Sequence, residues 1–394
     1  MKKQNKRRIL FSAALLTAGS AMAQDGASPA LFQVGAVDVR PNFTYGATFD
    51  DNIFLAHRDG NKEDDLIHTV TPGVTLGAGD YRSQSGSFFA GNYAANLLFF
   101  QDNDGANATD HNAAISFGGG DRFSWRFDQT LVSQSDADTA NLAAGGRVKR
   151  RAWSSSLGSV YDLSEKTNIE TSLGYILNDF AAAGTFDSQR LQGSMLFDYE
   201  MTAKLHYGLG ATFGYDQVDL SNNSLYEQVN TRAVWVASPK LALRAGVGVE
   251  FRQYQGVDLD RASLVFDVAA DWKLSPLTIA SIGANRGVAP SNSVGNQFAT
   301  RTGVSATVAH RFGERYSATL ATGYANNDLA ATISGAVGGQ EDDYWYIRPA
   351  LAAKLADRLA AAAFYQFRRN DSDAAANAAD FTNHQIGGSL TYAF

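Results

Sequence analysis

The feature that most limits what this chain can fold into is a period-two alternation of apolar with polar or small residues. From residue 36 onward it recurs in stretches of about ten positions, each closed by a turn signal. Leu241, Leu243, Ala245, Val247, Val249 and Phe251 alternate with Arg244, Gly246, Gly248, Glu250 and Arg252. Leu205, Leu209, Ala211, Phe213 and Tyr215 are opposed in the same way by Lys204, His206, Gly208, Gly210 and Asp216. Period two puts successive side chains on opposite faces of a strand, whereas an amphipathic helix would need a period near 3.6. Strands of this length can cross a membrane when tilted. A soluble sandwich shows the same alternation, so the connections must decide.

The connections fall into two classes that alternate along the chain. The short class includes Asp121-Arg122, Asp162-Leu163-Ser164-Glu165-Lys166, Thr202-Ala203-Lys204, Ser238-Pro239-Lys240, Ser275-Pro276, Gly313-Glu314-Arg315 and Ala356-Asp357-Arg358. Pro presets φ there, and Gly, Asp and Ser accept tight backbone geometry. Between them lie longer Asn-, Asp-, Gly- and Ala-rich stretches: 50–65, 101–110, 133–147, 216–226, 288–299, 326–343 and 370–380. Alternating short and long connections are what an up-and-down barrel with both termini on one side requires. The predicted strands are 36–47, 66–79, 86–100, 110–119, 122–132, 149–161, 167–178, 187–200 and 203–216, then 227–237, 240–254, 261–273, 276–287, 299–312, 315–326, 342–354, 357–369 and 381–394. The predicted fold class is therefore all-β: a transmembrane up-and-down antiparallel β-barrel of about eighteen strands, one hairpin more or fewer giving twenty or sixteen. A propeller would repeat a signature every fourth strand, and none is visible.

The N-terminus predicts export. Lys2, Lys3, Lys6, Arg7 and Arg8 precede a short apolar run, Ile9 to Ala18, and then Ala21-Met22-Ala23. This is the pattern of a secretory signal peptide cleaved after Ala23, and the run is too short to span hydrocarbon. The expected organisation is signal peptide 1–23, a short periplasmic segment 24–35 and a barrel over 36–394. No later window is apolar enough for a membrane helix. With 37 Gly, 7 Pro and no Cys, the chain suits many short strands and relies on no disulfide or lipoprotein anchor. The expected destination is the outer membrane, with its lipid and the barrel-assembly machinery as partners and no nucleic acid.

The last strand places Ile386, Leu390, Tyr392 and Phe394 on one face and Gly387, Ser389 and Thr391 on the other, and the chain stops on the aromatic. This resembles the terminal signal by which bacterial outer-membrane proteins are recognised for assembly, which assigns that role to Tyr392 and Phe394. A second likeness lies in Pro41-Asn42-Phe43-Thr44-Tyr45-Gly46-Ala47-Thr48-Phe49-Asp50-Asp51-Asn52-Ile53-Phe54, followed by Thr69-Val70-Thr71-Pro72-Gly73-Val74. It resembles the opening of the putative beta-barrel porin type 2 family and of outer-membrane proteins of exopolysaccharide export operons, with Asp50, Asp51 and Asn52 as the family-like motif. In motif the likeness covers about residues 41–76. It implies a channel or export role, with periplasmic polysaccharide-export components as further partners, and leaves the cargo open.

If the apolar face meets lipid, the other face lines a water-filled lumen. That face is predicted to carry Arg40, Arg122, Arg126, Arg190, Arg232, Arg244, Arg252, Arg286, Arg301, Arg311, Arg348 and Arg368, against Asp128, Glu170, Asp198, Glu250, Asp267 and Asp271. An excess of bases would favour anionic solutes, including acidic sugar polymers, although the chain as a whole has net charge −7. The same residues could instead pair across the wall as structural ladders. Small residues such as Gly303, Ser305, Thr307, Ser317, Thr319, Ala321, Gly323 and Ala325 would leave room for solute or for a folded-in loop, 326–343 being long enough. Tyr45, Trp125, Trp153, Tyr161, Trp235, Trp272, Tyr316, Tyr365 and Tyr392 fit aromatic girdles at the membrane interfaces.

Catalysis is not expected. His57, His68, His111, His206, His310 and His384 have no metal-ligand spacing, and the glycine string from Gly208 to Gly214 precedes no helix, so it has no phosphate-binding N-terminus. No metal and no cofactor is predicted. The acidic stretch Asp50-Asp51-Asn52, Asp59, Glu63, Asp64 and Asp65 reads as a solvated extracellular loop more readily than as a calcium site. A structural or adhesive barrel with a closed lumen is the alternative to a channel.

Overall fold

A computed structural model describes residues 32–394 except 58–61, 85, 136–146, 182–184, 220, 257, 259, 292–296, 332–338 and 374–379. The predicted signal peptide lies outside the described residues. The strands are β1 (Phe32–Val34), β2 (Val37–Asp50), β3 (Asp65–Gly79), β4 (Phe88–Phe100), β5 (Ala108–Gly120), β6 (Phe123–Gln134), β7 (Arg150–Asp162), β8 (Thr167–Phe180) and β9 (Ser188–Thr202). They continue as β10 (Leu205–Val218), β11 (Ser224–Ser238), β12 (Leu241–Tyr254), β13 (Asp260–Ser275), β14 (Thr278–Pro290), β15 (Gln297–Phe312), β16 (Tyr316–Ala331), β17 (Gln340–Ala356), β18 (Leu359–Ser372) and β19 (Phe381–Ala393).

β2 to β19 pair antiparallel in chain order, and β19 pairs back onto β2, so eighteen strands close a barrel with no free edge. β1 is a short antiparallel extension of β2. At the seam Gln385 stands opposite Asp50 and Ala393 opposite Asn42. The backbone N–H of Phe394 then donates to the Pro41 carbonyl at 3.1 Å, so the terminal aromatic is held where the barrel closes.

Three of the tight turns carry a hydroxyl at their first position. Thr202 Oγ1 accepts from the N–H groups of Lys204 and Leu205 at 3.2 and 3.1 Å, and Ser238 Oγ from Lys240 and Leu241 at the same distances. Ser275 Oγ accepts likewise from Leu277 at 3.2 Å. Each hydroxyl satisfies backbone donors that the two-residue turn takes out of the ladder. These turns share the end of the barrel that carries β1 and Phe394, called the periplasmic end after the orientation expected from the sequence; the long connections lie at the opposite end, correspondingly the outer end.

Alternation sorts the wall residues. Leu209, Phe213, Val229 and Phe251 are each more than half exposed on the outside, while Tyr226, Glu250, Arg252 and Tyr254 on the other parity are buried. All nine aromatics predicted for the girdles are exposed. An apolar belt of this kind would be costly in water and is the surface a barrel presents to hydrocarbon. At the outer end the ladders run further than alternation suggested. Asn327 and Asp328, beyond the predicted strand end at Asn326, pair in register with Asp342 and Glu341. Polar strand ends continue hydrogen bonding above the apolar belt, where hydrophobicity gives no sign of them.

Candidate functional site: the lumen

The wall from β9 to β12 carries a connected charge network on its inner face. Arg190 grips Asp216 with two hydrogen bonds, Nε to Oδ1 at 2.6 Å and Nη2 to Oδ2 at 2.9 Å. Arg252 donates to the same Asp216, and its Nε reaches Glu250 Oε1 at 2.8 Å. Gln228 Nε2 donates to the other Glu250 oxygen at 2.6 Å. Both guanidinium groups lie over the Tyr226 ring, 5.5 and 4.5 Å from its centroid. Asp216, Glu250 and Arg252 are no more than 3% exposed, so each buried charge depends on its partners to offset desolvation.

Nearer the periplasmic end, Arg232 holds Glu170 through two 2.7 Å bonds and Asp198 at 3.1 Å, and His206 faces Asp198 at 3.4 Å. Arg244 pairs with Asp271 at 2.7 Å, and Arg126 with Asp128. Five of the predicted lumen arginines thus sit in ladders along the wall. The register adds Asp38, Asp50, Asp65, Asp110, Asp216 and Asp342 to the inner face. The expected bias toward bases therefore does not extend round the whole wall.

It persists on β17 and β18. The Arg348 guanidinium lies over the Phe364 ring, 4.5 Å from its centroid, and no carboxylate of the described residues pairs with it. Arg368 is buried nearby and donates Nε to Asn383 Oδ1 at 2.9 Å. Arg301, on the face of Gly303 and Ser305, is exposed, as is Arg311, whose Nη2 donates to the Pro276 carbonyl at 3.3 Å. Arg40 is on the inner face beside Asp38, 3.8 Å away.

Two predicted lumen arginines lie elsewhere. Arg286 faces outward with Ala284: β13 pairs it with Phe266, and its Nη1 donates to Thr302 Oγ1 at 2.7 Å. β14 carries apolar residues on both parities, Ile279 and Ile282, so alternation alone could not fix its faces. Arg122 sits in the periplasmic turn, its Nε donating to the Asp162 carbonyl at 3.1 Å and its guanidinium over the outward Tyr161. A two-residue turn ends the alternation, so a residue within it belongs to neither face.

Three elements fold into the bore. At the outer end, residues 51–57 turn inward: Ile53 packs with Ile67 and Phe100, and Leu55 with Tyr344 and Phe381. The predicted motif holds this turn. Asn52 is fully buried; its Nδ2 donates to the carbonyls of Ala56 and Thr382 at 3.0 and 3.1 Å, and its Oδ1 accepts from the Ala56 N–H at 2.7 Å. Asp50 accepts from Asn52 N at 2.9 Å, from Gln385 at 2.7 Å and from Asn383, and Asp51 Oδ1 from His384 N at 2.6 Å. Asp65, 1% exposed, accepts from the backbone N–H groups of Gln101, Asp102 and Asn103. Of the stretch expected to be a solvated loop, Asp50, Asn52 and Asp65 are thus buried and the carboxylates of Asp50, Asp51 and Asp65 are met by amide donors, whereas Glu63 and Asp64 are exposed as expected and Asp59 lies outside the described residues; no metal-holding group of acids and histidines occurs among the described residues.

The second element is the outer end of the β14–β15 hairpin. β14 stops pairing with β13 at Arg286, yet stays paired with β15 through Pro290. Phe298 then stacks on the inner-wall Tyr254 with centroids 5.4 Å apart, beneath Arg261. Arg190, on β9, reaches the Val288 carbonyl at 3.3 Å. Contact with a strand so far round the ring requires the outer ends of β14 and β15, at Val288 and Phe298, to leave the wall and lean into the mouth. Segment 326–343, the predicted plug, is strand at both flanks, and 332–338 lie outside the described residues. The third element is the periplasmic turn between β3 and β4, where Tyr81 donates to Asp38 Oδ2 at 2.8 Å and Gln84 accepts from Arg126.

No known family model matches the chain, and no curated protein does. Among solved structures it is similar to OccK3 (OpdO) of Pseudomonas aeruginosa, at TM-score 0.44 and 13% identity over 91% of this chain and 96% of that one. It is also similar to Pseudomonas aeruginosa OpdK with vanillate, at TM-score 0.46 and 9% identity over 91% and 99%. Acinetobacter baumannii OccAB4 gives TM-score 0.46 and 10% identity over 90% and 98%.

Proposed function

We propose that this protein is an outer-membrane channel for small solutes that favours anions. The observation that carries the reading is Arg348 on the inner wall, beside Arg368 and without a carboxylate partner, in a barrel whose other inner arginines are largely neutralised in pairs. A fixed, uncompensated cation in a low-dielectric bore lowers the electrostatic cost of an anion there and raises it for a cation. The exposed apolar belt and the N-terminal export pattern support the location, and the held Phe394 supports recognition of the last strand by barrel-assembly machinery. Export of an anionic exopolysaccharide through periplasmic partners, which residues 41–76 suggest, fits the charge of this wall. It would require residues 51–57 and the outer ends of β14 and β15 to swing out of the mouth, so small solutes fit the seated state better.

The inward-folded elements favour one other reading, a barrel closed to solutes. Planar-bilayer recording in a KCl gradient separates the two. A channel preferring chloride, with Arg348→Glu moving the reversal potential toward cation preference, is the expected result. Cation preference in the unaltered protein, or a potential unmoved by the substitution, refutes anion selectivity; absence of any conductance refutes the channel.

A further inference from the structure

Three of the histidines that form no metal site share one geometry on the outer wall. Tyr45 bonds His68 Nδ1 at 2.8 Å, Tyr93 bonds His111 Nδ1 at 3.0 Å, and Tyr365 bonds His384 Nδ1 at 2.8 Å. Each tyrosine is on a strand rising to the outer end and each histidine on the next one descending: β2 with β3, β4 with β5, β18 with β19. Those six strands are consecutive around the barrel. Each histidine stands fourth in its strand. The three pairs therefore form a row at one height, and the three tyrosines are exposed on the apolar side.

A phenol and a neutral imidazole bring two donor hydrogens to such a pair, and their mutual bond uses one. When the tyrosine donates to Nδ1, the remaining hydrogen is fixed on Nε2 and faces the surroundings. In hydrocarbon an unmet donor is costly, so the row needs acceptors from the lipid. Its height supplies them. His384 and the periplasmic-girdle Tyr392 share a face eight residues apart, which at strand rise and a tilt near 40° is about 20 Å, close to the height of the apolar band. The imidazoles thus stand where acyl chains give way to headgroups.

We propose that this row is a docking site for phosphorylated lipid headgroups of the outer leaflet, each Nε2–H donating to a phosphoryl oxygen. It rests on the membrane reading above. A hydrogen bond to an anionic oxygen is worth about tenfold in affinity or more, and the tyrosines act as positioning residues.

The test uses the full-length protein in nanodiscs of phosphatidylglycerol or of phosphate-free galactosyl diacylglycerol, with retained lipid counted by native mass spectrometry. The variant H68F/H111F/H384F keeps the aromatic belt and is expected to lose about tenfold or more of its phospholipid retention. It should retain the phosphate-free lipid as before. Y45F/Y93F/Y365F, which frees the imidazoles, is expected to lose less. In the unaltered protein, solid-state NMR should show dephasing of the three Nε2 signals by lipid phosphorus, unaffected by added inorganic phosphate; this reading stands even if a variant fails to fold. Unchanged retention, equal loss of both lipids, or absent dephasing overturns the proposal. So does a histidine variant that breaks up an oligomer, because the row would then pack a second copy. Failure of the unaltered protein to insert overturns the membrane reading as well.

Discussion

Asn52→Ala tests whether the buried clamp keeps residues 51–57 in the mouth. The Asn52 amide makes three hydrogen bonds, two to Ala56 and one to the Thr382 carbonyl on β19, and it is fully buried. At about 1 kcal/mol net for each, their loss weakens the seated state by roughly 3 kcal/mol, a shift of about a hundredfold between seated and released turns. Ile53 and Leu55, 2% and 6% exposed, still anchor the turn, so the variant should visit the released state more often without remaining in it. Adding Ile53→Ser and Leu55→Ser removes the anchors and should make release dominant. Single-channel recording reads this directly: the unaltered protein is expected to show rare openings to a larger conductance, Asn52→Ala to increase their frequency by up to about two orders of magnitude, and the triple variant to hold the larger level. A triple variant that folds and closes its barrel, yet matches the unaltered conductance and dwell times, would show that residues 51–57 do not narrow the path.

Three further outcomes follow from the wall. Arg252→Met leaves Glu250 without its guanidinium partner in a buried site, so the urea midpoint in lipid vesicles should fall by the equivalent of about 3–5 kcal/mol, and adding Glu250→Gln should recover part of it. At Gly214 a Cβ would overlap the Tyr226 ring. Gly214→Val should therefore destabilise by about 1–3 kcal/mol and Tyr226→Ala should relieve it; additive effects in that double-mutant cycle would contradict the packing. Deleting Phe394 removes the 3.1 Å seam bond to Pro41 and an edge-to-face contact with Tyr392, and should slow barrel closure in a refolding assay followed by heat-modifiable gel mobility.

The architecture was legible because it is periodic. Alternation located all eighteen wall strands, and the Thr202, Ser238 and Pro-bearing turns marked their periplasmic ends. Where the period failed, so did the reading of faces: at Arg286, on a strand apolar on both sides, and at Arg122, within a turn. The His68, His111 and His384 row escaped notice because its partners lie on neighbouring strands, and only registers such as Ala47 opposite His68 bring each tyrosine within reach. The acidic motif was visible as Asp50-Asp51-Asn52, but its solvation was misjudged. Its donors, Asn383, His384 and Gln385, come from the far end of the chain.

By itself the sequence determined the local choices: strand rather than helix, where each strand turns, and which parity is apolar, because these depend on neighbours one or two residues away. Only the tertiary structure decided what occupies the lumen. Which arginines are neutralised, which like Arg348 stand without a carboxylate partner, and which segments enter the bore depend on closure bringing β19 to β2 and on Val288 of β14 reaching β9. Such contacts join residues far apart along the chain, where the alternation carries no information.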